Sequence, residues 1–478
     1  MFIGLDLGTS ALKGILIEAD QAVLAEASAA LNVSRPHPGW SEQNPDDWLE
    51  AANTVMLSLK EQQDLGGVQA IGLSGQMHGA TLLNEQGQVL RPCILWNDTR
   101  SAEEAAVMDA EPKWRAVSGN IVFPGFTAPK LVWVAGNEPE VFAATRMVLL
   151  PKDTLRLWMT GEAVSDMSDS AGTGWLDTSA RDWSDALLAE TGLSRAAMPR
   201  LVEGSEPSGQ VRDELCDHWG LPRGVMVAGG GGDNAASAVG AGVVSAGQGF
   251  VSLGTSGVLF AASPSYQPAP ETAVHTFCHA LPGVWHQMGV ILAATDALNW
   301  YAGATGKSAP ELTDALGDLQ PPGRTLFLPY IGGERTPHND AGVRGALIGI
   351  EHATDTDAGT RAVLEGVAFA FRDSLDALTS TGTRLDRLIA LGGGSQSGYW
   401  LKAIATALRL PVDVPVAGDY GGAFGAARLA MMAAGAPPGI ATPPPILGTI
   451  EPDYAMADAF DAAHSRYRAT YAALKDIS

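Results

Sequence analysis

The tetrapeptide Leu-Gly-Thr-Ser stands twice in this chain, at residues 7–10 and again at 253–256, and the copies lie about half of the 478-residue sequence apart. Each copy sits between two strand-like runs: Phe2 to Leu7 and Leu12 to Ile17 around the first, Phe250 to Leu253 and Gly257 to Ala262 around the second. An apolar run, a glycine-containing turn and a second apolar run read as a β-hairpin. One such hairpin opening each half of a chain is the pattern of two related domains. The expected boundary falls near Val243 to Gln248, which gives domains of residues 1–243 and 244–478.

Helix-like segments alternate with strands in both halves. Pro45 to Lys60 is one; Gly359 to Leu378 is another, with apolar residues at 363, 364, 367, 368, 371, 375 and 378 forming a core-facing stripe. Pro437 to Pro445 reads as a loop before a final amphipathic helix, Tyr454 to Leu474. Asn234 to Pro270 carries no charged residue, but its Gly, Ala, Ser and Pro content breaks the apolar run a membrane span needs. It reads as a buried helix followed by two buried strands. The mixed order of elements argues for an α/β fold. Hydrophobic residues at 46% and charged residues at 17% suit large buried cores, which excludes a disordered tail or a fibre.

The 30 Lys and Arg against 53 Asp and Glu leave a net charge of −23. A field of that sign repels nucleic acid and anionic lipid surfaces, so neither is an expected partner. A phosphorylated ligand must then be held locally, by backbone N–H groups, a metal ion or a single lysine. The three cysteines, Cys93, Cys216 and Cys278, are too few and too scattered for a disulfide framework or a four-ligand zinc site, which points to a reducing, cytoplasmic location. The first seven residues have no basic segment and already contain Asp6, unlike a signal peptide.

Four glycine-rich turns follow strand-like runs: Gly8-Thr9-Ser10, Gly229 to Gly232, Gly254-Thr255-Ser256 and Gly392-Gly393-Gly394. Such turns let backbone N–H groups approach an anion, and four in one chain suggest a nucleotide polyphosphate. Two common signatures fail. Gly306-Lys307-Ser308 lacks a glycine five positions earlier, where Tyr301 stands, so it is no P-loop. Gly230, Gly232 and Ala235 fit a dinucleotide fingerprint, but no acid lies between Asp233 and Glu271 to hold a ribose. Hydrolase chemistry has no G-x-S-x-G elbow to stand on.

Two carboxylates are set in apolar, glycine-rich sequence, where a charge is costly unless it serves a purpose. Asp6 reads as a direct or outer Mg²⁺ contact near phosphates, or as a turn cap. Asp233 reads as a general base, or as the N-cap of a helix Asn234 to Gly240. Gln76, Met77 and His78 lie in a loop between Gly75 and Gly79 that a ligand can approach closely. Trp96, Asn97 and Asp98 combine an aromatic face with donors and acceptors, as sugar recognition requires, or else cap the helix after Ser101.

These residues, together with Phe126-Thr127-Ala128-Pro129-Lys130, Trp133, Gly231-Gly232-Asp233-Asn234 and Gly333-Glu334-Arg335-Thr336-Pro337, come in the order seen in the FGGY carbohydrate kinases, a family this chain resembles over almost its whole length. Ser34-Arg35-Pro36-His37-Pro38, Gln76-Met77-His78, Trp96-Asn97-Asp98 and Pro337-His338-Asn339 are similar to the branch that phosphorylates D-xylulose.

The resemblance implies two actin-like, ribonuclease H-like domains with ATP and sugar in the cleft between them, Mg²⁺ as cofactor, and a homodimer. By position it implies Asp233 as catalytic base and Asp6 as the carboxylate near Mg²⁺. Met77 and His78 match the family's substrate-binding pair, and the side-chain chemistry of Gln76, Trp96, Asn97 and Asp98, with Asp233, makes these the further expected substrate contacts. Gly8, Thr9, Ser10 and Lys13 of the first turn, Gly254 and Thr255 of the second, and Gly393, Gly394 and Ser395 would contact ATP. Gly229 to Gly232 is one glycine richer than the family pattern. Other acceptors, namely ribulose, rhamnulose, gluconate or glycerol, stay open, as does an actin-like ATPase that switches a partner.

Overall fold

The computed structural model describes residues 1–416 and 421–477. Contacts divide them into two compact units. The first comprises Met1–Val244, Phe277–Trp285 and the segment that carries the helix Gly422–Ala433. The second takes Ser245–Thr276, the chain from His286 to residue 416, and the chain from Pro444 onward.

In the first unit the strands Phe2–Leu7 and Ala11–Ile17 form the expected antiparallel hairpin, with Asp6 opposite Lys13. Phe2–Leu7 then runs parallel to Ala70–Gly75, which puts Asp6 opposite Ser74. The sheet continues through Val23–Ala30 on one side and Met226–Ala228 and Pro207–Gln210 on the other. In the second unit Gly247–Leu253 pairs antiparallel with Gly257–Ser263 and parallel with Leu385–Leu391, which runs parallel to Val412–Pro415. The repeated tetrapeptide thus opens the same arrangement twice: a hairpin whose first strand lies beside a parallel strand arriving from far along the chain.

Long helices cover these sheets where periodicity placed them. Pro45–Gln62 starts at Asn44, whose side chain accepts from the Asp46 N–H, and buries Trp48, Val55, Met56 and Leu59. Thr356–Ser380 buries the stripe read from the sequence, Val363, Leu364, Val367, Ala368, Phe371 and Leu378 among it. Asp233–Gly240 and the two strands after it account for the uncharged stretch.

A single cut at residue 243/244 differs from the compact units in two respects: Phe277–Trp285 and the segment that carries the helix Gly422–Ala433 both belong to the first unit. The helix Gly422–Ala433 belongs to the first unit because it is built of small residues and lies directly on that unit's sheet. A Cβ on Gly4 would fall 1.8 Å from the Ala423 carbonyl oxygen, and one on Gly72 1.8 Å from that of Ala426. Among the described residues no helix is long and apolar enough to cross a membrane.

Candidate functional site

In the first unit the Gly-Thr-Ser turn is held by side chains from three other segments. The Gly8 N–H donates to the Ala11 carbonyl and closes the turn, so this amide is occupied by the hairpin itself. The Thr9 hydroxyl donates to Gln76 Oε1 at 3.0 Å and accepts from Trp96 Nε1 at 3.0 Å, while Gln43 Nε2 donates to the Thr9 carbonyl at 2.7 Å. Gln76 Nε2 donates in turn to Gln43 Oε1 at 2.9 Å. Gln76 is buried and engaged at both ends. It seats the turn, a role that motif reading alone had given to substrate contact.

Asp98 has a similar fate. Its oxygens accept from the Ser41 N–H, the Arg100 N–H and the Arg100 guanidinium, and both side chains of that pair are buried. The carboxylate is consumed in fixing the loop. Trp96, by contrast, is exposed and presents an open aromatic face.

His78 occupies a left-handed backbone conformation (φ +69°), which a non-glycine residue adopts only when its surroundings impose it. Thr127 Oγ1 and Lys130 Nζ both donate to its carbonyl, at 3.1 and 2.8 Å. Lys130 is fully enclosed, and burial pushes its amine down to about 7. The imidazole stacks on Phe126 with centroids 4.8 Å apart, and its Nδ1 lies 2.6 Å from the Gly172 carbonyl. A Cβ at Gly172 would stand 2.5 Å from the ring, so only glycine fits there. Met77 is buried against Gly232, next in sequence to Asp233.

Asp233 is the first residue of its helix, with Gly232 in the cap position. The sequence reading of Asp233 as N-cap is therefore off by one, because the acid must follow the cap to sit inside the first turn. The Asn234 N–H and its side-chain amide both donate to Asp233 Oδ1, at 2.7 and 2.9 Å. Burial, reinforced by the Asp6 carboxylate, pushes the Asp233 carboxyl up to about 6. Asp6 accepts from the Ser74 hydroxyl at 2.8 Å, and Gly422 passes so close that a Cβ there would fall 2.7 Å from its carboxyl carbon. The four glycines before Asp233 have a steric reason: a Cβ on Gly229 would meet the Glu203 carbonyl at 2.1 Å and one on Gly230 the Leu73 carbonyl at 2.1 Å.

In the second unit the matching turn is tied to a helix start. The Gly254 carbonyl accepts from Thr295 N–H and Oγ1 at 2.9 and 2.8 Å, and the Thr255 carbonyl from the Ala294 N–H at 2.8 Å. Beside it lies a pocket of about 300 Å³, lined by Thr295, Leu298, Asn299, Pro310, Asp314, Gly393, Gly394, Gln396 and Ser397. That volume suits a nucleoside. A Cβ on Gly394 would come 2.8 Å from Leu253 and 3.0 Å from Trp400. Ser395 instead donates to the Gly392 carbonyl and stays out of the pocket wall. The sequence reading missed Asn299 and Asp314, which carry no local signature. Gly306 ends the helix Thr295–Thr305 and Ser308 caps the next, so the rejected P-loop is a helix junction.

Models of the FGGY family of carbohydrate kinases match residues 1–240 for its N-terminal domain and 249–434 for its C-terminal domain. A xylulose kinase of Escherichia coli is 48% identical over 91% of this chain and 90% of its own length; one from Klebsiella pneumoniae is 48% identical over 95% of each. The crystal structure of a xyloylose kinase from Brucella ovis superposes with a TM-score of 0.98 at 59% identity, covering 100% of both chains. A xylulose kinase structure from Rhodospirillum rubrum gives 0.93 at 31%, covering 99% of this chain and 98% of the other.

Proposed function

The chain belongs to the FGGY family of carbohydrate kinases, and from that premise we infer that it transfers the γ-phosphoryl group of ATP to D-xylulose, giving D-xylulose 5-phosphate, with Asp233 as the general base. One observation supports that base above others: Asp233 is a part-buried acid whose carboxyl is pushed up to about 6, and it follows Gly232, which packs against Met77 of the His78 loop. At neutral pH it is ionised yet basic enough to accept a proton.

In the proposed reaction Asp233 takes the proton of the sugar 5-hydroxyl while that oxygen attacks the γ-phosphorus in line. Both hydrogen bonds from Asn234 fall on Oδ1, which leaves Oδ2 to receive the proton. Met77, His78 and Trp96 present the apolar and aromatic surfaces that orient the sugar, with Asn97 beside them. The pocket at Gly393 and Gly394 takes the adenosine, and the turn at Gly254 and Thr255 the phosphates. Phosphoryl transfer asks for alignment and charge compensation rather than covalent work by the protein.

Mg²⁺ fits the residues present. Asp6 offers the oxygen donor that this ion prefers, and the glycine at 422 lets the backbone pass close to its carboxylate. The ion, held through Asp6, would supply neutralisation of phosphate charge, aided by Lys13 on the opposing strand. All three cysteines are free and buried, which supports a cytoplasmic enzyme, and we extend the reading to a pair of identical subunits. Sedimentation showing only monomer would remove that last part.

A coupled assay of ADP release across ketopentoses, ketohexoses, gluconate and glycerol tests the reaction. The expected result is turnover with D-xylulose well above every other acceptor. ADP formation indifferent to added sugar would favour a nucleotide switch and overturn the reading.

A further inference from the structure

Behind the loop that carries Asp233 lies a fully buried cluster of five charged side chains that the reaction as described does not use. Lys152 Nζ lies 2.6 Å from Asp153 Oδ1, 2.6 Å from Asp166 Oδ2 and 3.0 Å from Asp169 Oδ2, all at zero exposure. Arg156 joins through Asp153 at 3.4 Å. Two cations face three carboxylates, and burial raises the Asp169 carboxyl well above its ordinary range. Buried ion networks stabilise a fold poorly compared with apolar packing of the same volume. The value of this one must be sought in geometry.

Its outward contacts converge on one place. Arg156 donates to the Ala228 carbonyl at 2.6 Å and the Gly229 carbonyl at 2.5 Å, and to Ser208 Oγ. Asp166 Oδ1 accepts from the Ser168 N–H at 2.9 Å and from its hydroxyl at 2.5 Å. With its proton committed to Asp166, Ser168 Oγ accepts from the Gly232 N–H at 3.1 Å. The segment from 228 to 232 is thereby pinned at both ends, immediately before Asp233. A glycine run has little stiffness of its own. The cluster adds side-chain bonds to the backbone bonds that Gly229 and Gly230 make with Glu206 and Gly204.

We propose that Ser168 and Arg156, seated by Asp166 and Lys152, are positioning residues that fix where Asp233 points. This rests on the reading of Asp233 as the base.

The test is Ser168→Ala, a small change that removes the acceptor of the Gly232 N–H, with Ser208→Ala as a second, milder variant acting through Arg156. The ionisable group that acts on Asp233 is Asp6, on the strand beyond Ala70–Gly75; behind the loop stand Lys152, Asp153, Arg156, Asp166 and Asp169, and Arg428 of the helix packed alongside donates to the far end of the Asp233 helix; both variants leave all of them in place. In Ser168→Ala, kcat should fall roughly 10- to 100-fold, as when an outer partner of a reacting group is lost. KM for ATP should stay within about twofold. The acid limb of kcat/KM should move from near 6 toward the ordinary carboxylate value of about 4 as the loosened loop admits water. Ser208→Ala should move kcat and the acid limb the same way, by less. A folded Ser168→Ala enzyme with native kcat and native acid limb overturns the proposal. So does a fall in kcat that tracks a lost folded fraction in thermal melts while the acid limb stays put. An inert Asp233→Asn beside a native-like Ser168→Ala defeats only the positioning role; a fully active Asp233→Asn defeats the base itself.

Discussion

The two Gly-Thr-Ser turns share a backbone and differ in everything attached to it. In the first, Asp6 stands two residues before the glycine and faces Lys13 across the hairpin; in the second the same register holds Ser252 facing Val258. The first turn is tied to the polar side chains of Gln76, Gln43 and Trp96, the second to the start of the helix at Thr295. One copy therefore carries the charged pair of Asp6 and Lys13; the other is neutral and adjoins the nucleoside-sized pocket.

That contrast can be broken at several points. The largest effect is expected for Asp233→Asn, which should cut kcat at least about 10²-fold, the lower end of what a general base contributes, while ATP affinity by calorimetry stays near native. In the unaltered enzyme kcat/KM should fall as pH drops below about 6, where Asp233 takes up its proton. Asp6→Asn should cost roughly 10-fold or more in kcat and raise the Mg²⁺ concentration needed for half-maximal rate. It should also shift the acid limb to lower pH, because a like charge that raises the Asp233 carboxyl is gone. An unmoved acid limb would show that burial alone sets that carboxyl.

Making the second turn resemble the first is the sharper experiment. Ser252→Asp places an acid where the first turn has Asp6 and should raise KM for ATP about 5-fold, the order expected for one like-charge contact of about 1 kcal/mol in water, with KM for D-xylulose unchanged. The smallest effect belongs to Thr9→Val, which removes the hydroxyl between Gln76 and Trp96. Losing hydrogen bonds at the low end of their worth, roughly 0.5 kcal/mol, should raise KM for D-xylulose about twofold. A larger change in KM for ATP would mean that this turn serves the nucleotide first.

Much of the site was legible in the residues. The hairpins, the helix over Gly359 to Leu378 and the isolated acid at 233 all announce themselves through neighbours a few positions away. Gln76 and Asp98 have the type and setting of ligand contacts, yet hydrogen-bond partners at residues 9, 43, 41 and 100 already engage them. The cluster around Lys152 gave no signal, since its outward contacts reach residues 208, 228, 229 and 232, well beyond the span of any motif.

The amino-acid order alone determined the two hairpin turns, the core stripes and the candidate base, because turn chemistry and side-chain periodicity act over a few residues. Tertiary structure decided the rest: that a Gly- and Ala-rich helix from the end of the chain lies on the first sheet, that Gln76 and Asp98 hold loops, and that buried charges brace the segment before Asp233. Whether a polar group is spent or available depends on which partners burial brings within 3 Å of it, and those partners come from anywhere along the chain.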